Sequence, residues 1–250
     1  MEIIEIRLET IDSTNTYAKR HAASFSKEAL TCILAEEQTA GRGRFARKWH
    51  SPKGSNLYIT FFFRLPPNTP HLISLAQVMA YSLATLLEKE GLSPQIKWPN
   101  DVQLSGKKVS GILAELVYDP LAVEVILGIG INVNMTPEEA FKIDQPATSL
   151  RIETGKAWDR EAYLKKFQKQ FSSDLETFKK QGFAPFHKRF EELLAYKGQT
   201  IRCFDGKQDW VGVCHSITFD GQLNLLLPNR EIHTIVSGEI SGSIQTNARD

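Results

Sequence analysis

Apolar and polar residues alternate through IIEIRLE near the start of the chain, the period-two signature of a strand with one buried face. DSTNTYAKRHAA follows, with Asp12 or Ser13 placed to cap the N-terminus of a helix. LTCILAEEQ predicts a second strand that runs into an arginine-rich loop. SNLYITFFFRL, dense in aromatic and β-branched residues, predicts a third. Through HLISLAQVMAYSLATLLEKEG apolar residues recur at helical spacing, and Gly91 stands where a C-cap belongs. QIKWPNDV and KKVSGILAELVY read as two strands joined by a tight LSG turn, and AVEVILGIGINVN as another. Strands around one long helix predict an α+β sandwich, not a regular βαβ repeat.

Helical spacing returns in DREAYLKKFQKQFSSDLETFKKQ and APFHKRFEELL, with Gly182 and Pro185 between them. After Lys197 the texture changes to the short strands QTIRCFD, WVGVCHSIT, QLNLLLPN and EIHTIVS, spaced by Gly, Asp and Asn turns. That spacing predicts a small all-β barrel. The expected boundary lies near Ala195, giving domains over residues 1–194 and 195–250. No internal repeat is visible.

Composition narrows the function classes. The 250 residues suffice for one large domain, or one large and one small, and 42% of them are hydrophobic. Lys plus Arg number 30 against 29 Asp plus Glu, which argues against coating nucleic acid through overall charge. The acidic N-terminus shows no signal peptide, and the most apolar stretch, 121–133, is too short and broken to span a bilayer. Cys32, Cys203 and Cys214 form no C-x-x-C pair and are expected to be packing residues in a reducing cytoplasm. No histidine pair has metal-ligand spacing on a helix, and no metal site is expected.

Charge is uneven locally. From Gln38 to Leu87 there is no Asp or Glu, while Arg42, Arg44, Arg47, Lys48, Lys53 and Arg64 all fall inside that window. A positive field without internal neutralisation suits a carboxylate or a phosphate. Gly41 and Gly43 allow close backbone approach, and arginine forks match both anions. No P-loop motif exists, and GRGRFA lacks the acid about twenty residues on that a dinucleotide fold needs. The loop alone is compatible with a solvated turn, a nucleic-acid patch or an anion cradle, and Trp49 with stacking on a base.

Two further constellations bear chemistry. In KWPNDV, Pro99 interrupts a strand and Asn100 and Asp101 place polar groups just beyond it. On the next strand, strict alternation puts Lys108, Ser110 and Ile112 on one face, Val109 and Gly111 on the other. Gly111 inside a strand points to close approach by another group. Ser13, Thr14 and Asn15 at a helix start serve either capping or a polar ligand head.

Taken in order, DSTN, EEQTAGRGRFARKW, KWPNDV, GKKVSGILAEL, GIGINVN, GFAPF and SGEIS resemble the biotin protein ligases, over nearly the whole chain. GRGR-x-x-R-x-W joined to KWPND is the specific part. The resemblance implies an α+β fold of the class II aminoacyl-tRNA-synthetase and biotin-ligase type, a mixed sheet with helices, followed by a small SH3-like β-barrel. It implies the short form, without an N-terminal DNA-binding domain. It also implies activation of biotin by ATP, with Mg²⁺, to biotinyl-5′-adenylate. Transfer follows to a lysine of a biotin carboxyl carrier protein, a subunit of acetyl-CoA carboxylase. No DNA or membrane partner is expected; a homodimer is left open.

By the same resemblance, biotin contacts fall on Ser13, Thr14, Asn15, Gln38, Gly41, Arg42, Gly43, Arg44, Lys108 and Gly111. ATP or adenylate contacts fall on Arg44, Arg47, Trp49, Asn100, Lys108 and Asn132. Lys108 bridges carboxylate and α-phosphate, and Arg44 closes over the adenylate. Asp101 has three readings: orienting the acceptor lysine, assisting its deprotonation, or structure. No residue of the C-terminal barrel stands out chemically. A lipoate- or octanoate-handling relative and a nucleic-acid-binding regulator are the alternatives.

Overall fold

The computed structural model describes residues 2–244. Seven strands build the main sheet: β1 (Ile3–Ile11), β2 (Leu30–Gln38), β3 (Leu57–Leu65), β4 (Pro94–Lys97), β5 (Asp101–Leu104), β6 (Lys107–Tyr118) and β7 (Val123–Ile131). Their order is β1-β2-β3-β7-β6-β5-β4. β1 and β2 run parallel and every other pair is antiparallel. The helices are α1 (Thr14–His21), α2 (Leu75–Lys89), α3 (Pro137–Ala140), α4 (Leu150–Thr154), α5 (Arg160–Gln181) and α6 (Ala184–Glu192).

Period two decides which helices cover which face. Cys32, Leu34, Ile59 and Phe61 enter the large core with Val78 and Leu83 of α2 and Phe167 and Phe171 of α5. Ile33, Phe62 and Ile126 point the other way, into a smaller cluster with Ala18 of α1 and Ala22. Both faces of β2 and β3 are thus buried, which is why LTCILA and LYITFFF read as near-continuous apolar runs. α5 begins where Asp159 accepts from the Glu161 and Ala162 amides and ends at Gly182.

The second sheet holds β8 (Thr200–Phe204), β9 (Asp209–Ile217), β10 (Leu223–Leu226), β11 (Ile232–Ile235) and β12 (Glu239–Ser243). All pairs are antiparallel, in the order β11-β10-β9-β8-β12. The expected α+β class with a small second β-unit therefore holds. β12 is a strand in its own right, formed from the SGEIS segment. Buried Ile201, Cys203, Cys214 and Leu223 continue the large core without a break. All three cysteines are free and buried, and burial raises their thiol pKa values, to about 12 for Cys32 and about 11 for Cys203.

Two sequence expectations need correction. QIKWPNDV is not one strand: Lys97 pairs with Asp101, so the chain reverses through Trp98, Pro99 and Asn100. Pro99 has no amide to continue a ladder, and the Trp98 indole is buried, donating to the Gly221 carbonyl at 2.9 Å. Gln77 Nε2 donates to the same carbonyl at 2.7 Å. Gly221 has φ +82°, and a Cβ there would lie 1.8 Å from Gln77 Oε1, so only glycine fits.

The second correction concerns Lys108. Val102 pairs with Ser110 but Gln103 pairs with Lys108, leaving Val109 as an extra residue on β6. This bulge breaks the alternation that grouped Lys108 with Ser110. Lys108 instead lies against Gly111: a Cβ on Gly111 would meet Lys108 Cε at 2.9 Å. The two-residue turn Ser105–Gly106 that joins β5 to β6 has positive φ at both positions, matching the LSG expectation. No helix among the described residues is long and apolar enough to cross a membrane.

Candidate active site

A cleft enclosing about 840 Å³, solvent mouth included, opens over β6 and β7. The start of α1, the end of β2, the arginine loop and the KWPND turn wall it in. Its lining brings together Ser13, Thr14, Asn15, Gln38, Arg42, Gly43, Arg44, Arg47, Trp49, Asn100, Asp101, Lys108 and Gly111. Asn132 and Gly41 do not line it. The Asn132 carboxamide donates to the Thr148 carbonyl at 3.0 Å. The Gly41 carbonyl accepts from the Trp49 amide at 2.9 Å, and a Cβ there would lie 2.6 Å from the Trp49 carbonyl.

One end is polar but uncharged. Ser13 sits at the N-cap of α1 without a side-chain cap bond. The Gln38 carboxamide takes over instead, accepting from Thr14 N at 2.9 Å while its nitrogen donates to Ser51 Oγ at 2.9 Å. Asn15 Nδ2 donates to Glu115 Oε2 at 2.9 Å and to the Leu113 carbonyl at 3.3 Å. Its Oδ1 accepts from Thr60 Oγ1 at 2.6 Å. With both carboxamides held, this end offers a fixed pattern of acceptor oxygens, hydroxyls and an amide nitrogen. Such a pattern suits a neutral group carrying both N–H and C=O.

The floor is made by missing side chains. Gly111 on β6 pairs directly with Gly130 on β7, two residues from Gly128. A Cβ at Gly128 would lie 2.2 Å from Asn15 Oδ1, and one at Gly130 would lie 2.3 Å from the Trp49 indole. Trp49 Nε1 is buried with no hydrogen-bond partner among the described residues. Gly128 and Gly130 belong to the GIGINVN motif, to which the sequence reading gives no site role. Their signal was the i, i+2 glycine spacing in a strand, which bares one face of a sheet.

The other end is cationic. Arg44, Arg47, Lys48, Lys97 and Lys108 line the cleft there against two carboxylates, Asp101 and Glu239, while Arg42, also in the lining, pairs with Glu115 beside the neutral end. Lys108 Nζ pairs with Asp101 at 2.9 Å, and both side chains are mostly buried. Arg44 donates to the Gly238 carbonyl at 2.8 Å and to Asn100 Oδ1 at 3.3 Å, both neutral groups. Burial pulls its pKa down. Lys97, unassigned in the sequence, has no hydrogen-bond or ion-pair partner among the described residues. Desolvation lowers its pKa. An excess of poorly compensated cations in a half-buried cleft favours an anionic ligand.

The acid-free window is not an unneutralised field. Arg42 meets Glu115, Arg47 meets Glu239, Lys53 meets Glu9 and Arg64 meets Glu124. The acids come from β6, β12, β1 and β7, strands that sequence distance hides. The C-terminal sheet also reaches the cleft, through residues that the sequence did not make stand out. The turn into β12 grips the arginine loop through the Gly238 carbonyl and a two-pronged Glu239–Arg47 pair. Burial opposes charge on Glu239, but Arg47, with Lys97 and Arg44 nearby, more than offsets it, and its carboxyl titrates below the usual range. Within the loop, Phe45 and Ala46 both hold positive φ, 55° and 57°, a costly backbone for residues other than glycine.

Comparison with known proteins identifies the family. Residues 8–132 match the model of the biotin/lipoate A/B protein ligase family. The chain is 35% identical over 236 residues to the bifunctional ligase/repressor BirA of Escherichia coli, covering 94% of this chain and 72% of that one. It is 34% identical over 234 residues to the biotin–[acetyl-CoA-carboxylase] ligase of Paracoccus denitrificans, covering 88% and 93%. It superimposes on the biotin protein ligase of Aquifex aeolicus, solved with biotin and ATP, with a TM-score of 0.82. Identity there is 36%, and 95% of this chain and 97% of the other are covered. A family match over half of the chain, and relatives at 34–36% identity over most of it, leave one assignment: the chain belongs to the biotin/lipoate A/B protein ligase family.

Proposed function

We propose that this protein is an ATP-dependent biotin–protein ligase. The observation that carries this reading is the cleft's polarity: a neutral end of fixed carboxamides and hydroxyls, and a cationic end around Lys108 and Arg44. Biotin has the same polarity, a neutral ureido ring at one end and a carboxylate at the other. Ser13, Thr14, Asn15 and Gln38 take the ureido ring, and Arg42, Gly43 and Gly111 border the chain that follows. Gly41 shapes the loop from behind.

In the first step a biotin carboxylate oxygen attacks the α-phosphorus of ATP and diphosphate leaves. Two anions must approach, so Lys108 and Arg44 offset their repulsion and stabilise the charge that develops. Arg47 and Asn100 border the phosphate side, Trp49 offers a face to adenine, and Asn132 shapes the strand end beneath. In the second step the acceptor lysine amine attacks the acyl carbon and AMP leaves. Asp101 holds Lys108 before substrates arrive and is the nearest carboxylate to receive the amine's proton. The described residues contain no group of three or more His, Cys, Asp or Glu that would hold a metal ion. Mg²⁺ accompanying ATP would supply charge neutralisation at the phosphates, with Asp101 and Glu239 the carboxylates that line this end of the cleft.

The acceptor in this reading is a biotin carboxyl carrier domain, and the site of action is the cytoplasm. The residue split 1–194 and 195–250 is our proposal for its domains, the second bracing the loop of the first. The test is mass spectrometry of a carrier domain incubated with biotin, ATP and this protein. One added biotinyl group on lysine is expected, and none would overturn the reading. Biotin, not lipoate, is expected to stimulate exchange of diphosphate into ATP; the reverse would favour the lipoate branch of the family. Arg44→Gly is expected to loosen the loop from Gly238 and Asn100 and speed adenylate escape. A release time course matching wild type would contradict that role.

A further inference from the structure

Glu115 has no place in the mechanism above, yet three elements converge on it. It lies on β6, its side chain 18% exposed. Its Oε2 accepts from Asn15 Nδ2 at 2.9 Å and from Arg42 Nη2 at 3.2 Å. Its Oε1 accepts from Lys19 Nζ at 2.7 Å and again from Arg42 at 3.3 Å. One carboxylate therefore joins the start of α1, the sheet and the first arginine of the loop. Burial opposes its charge, but Lys19, Asn15 and Arg42 outweigh that and keep it ionised.

We propose that Glu115 is a positioning residue for biotin, fixing the Asn15 carboxamide and latching the arginine loop through Arg42; this rests on the biotin-ligase reading.

The first half follows from hydrogen-bond roles. A carboxylate only accepts, so it forces Asn15 to point its nitrogen outward and its oxygen toward Thr60 and the cleft floor. Asn15 is 4% exposed, and a flipped amide would turn its oxygen toward two acceptors, the Glu115 carboxylate and the Leu113 carbonyl. The second half follows from the charge ledger of the loop. Arg44 is tied only to neutral acceptors and Arg47 only to β12. Lys53–Glu9 ties the far end of this connection to β1; between Gly41 and Trp49, Arg42–Glu115 is the one ion pair, among the described residues, to the main sheet. It is also the one that shares its carboxylate with the neutral end of the cleft. Filling that end and closing the loop are thus coupled through a single side chain.

The test uses the full chain with Glu115→Gln, Arg42→Gln and the double variant. In Glu115→Gln, titration with biotin alone is expected to show affinity weakened about tenfold, the scale of one charge-assisted hydrogen bond. ATP affinity is expected to stay within twofold. Chymotrypsin cleavage after Phe45, which is 54% exposed, is expected to quicken several-fold in the ligand-free protein. The double variant is expected to be cleaved no faster than either single one, because both remove the same latch. Wild-type biotin affinity in Glu115→Gln, or additive cleavage rates, would overturn the proposal. Failure of the wild-type protein to bind biotin would instead sink the functional reading, while the cleavage arm still reports the latch.

Discussion

Lys108→Ala is expected to lower biotin-stimulated exchange of diphosphate into ATP by about 10²–10³-fold while leaving the fold intact, the scale of losing one preorganised charge-stabilising donor. Lys108 touches one carboxylate, Asp101, and the face of Trp49, whose ring centroid is 5.4 Å from its ammonium. It supports no core contact whose loss would unfold the sheet. Its removal also strands Asp101, whose negative charge then faces the two incoming anions instead of a cation. The loss therefore falls on the chemical step more than on biotin binding. The check is an exchange assay at saturating biotin beside a thermal melt. Exchange within tenfold of wild type in a folded variant would remove Lys108 from its proposed role.

Gly128→Ala is expected to weaken biotin binding by about 100-fold or more, a larger effect than a single methyl normally has. The new Cβ would lie 2.2 Å from Asn15 Oδ1, so the carboxamide must leave. It cannot shift slightly, because Glu115 and Leu113 hold its nitrogen and Thr60 its oxygen. Displacing it breaks buried hydrogen bonds, each worth about 1–3 kcal/mol when a partner is left unpaired. ATP affinity is expected to change little, since the cationic end lies at the other side of the cleft. Titration with each substrate separately checks this, and wild-type biotin affinity would show that Asn15 does not floor the site.

Much of the site was legible along the chain, for a definable reason. The residues of the arginine loop, of KWPND and of DSTN cluster within short segments, so composition and turn chemistry expose them. The residues the sequence did not flag act across the fold. Glu115 lies 73 positions from Arg42, and Glu239 lies 192 positions from Arg47. Both stand inside motifs the sequence offers, GKKVSGILAEL and SGEIS, but a glutamate on a strand shows no role until its partner is known. Lys97 stands inside the KWPNDV motif, but only the reversal at Trp98 reveals that it lines the cleft with no hydrogen-bond or ion-pair partner among the described residues. The bulge at Val109 was likewise hidden, since period-two reasoning assumes an unbroken ladder.

The sequence by itself determined most of the elements, their α+β class, and where the arginines concentrate. Those follow from periodicity, from capping and turn residues, and from a local excess of arginine, all of which act over a few residues. The tertiary structure alone decided which acids neutralise that excess, which face Lys108 takes, and which glycines leave room for the Asn15 and Trp49 side chains. Those depend on strand register and on docking of the second sheet, where residues far apart in the chain meet, and no local preference encodes their partners.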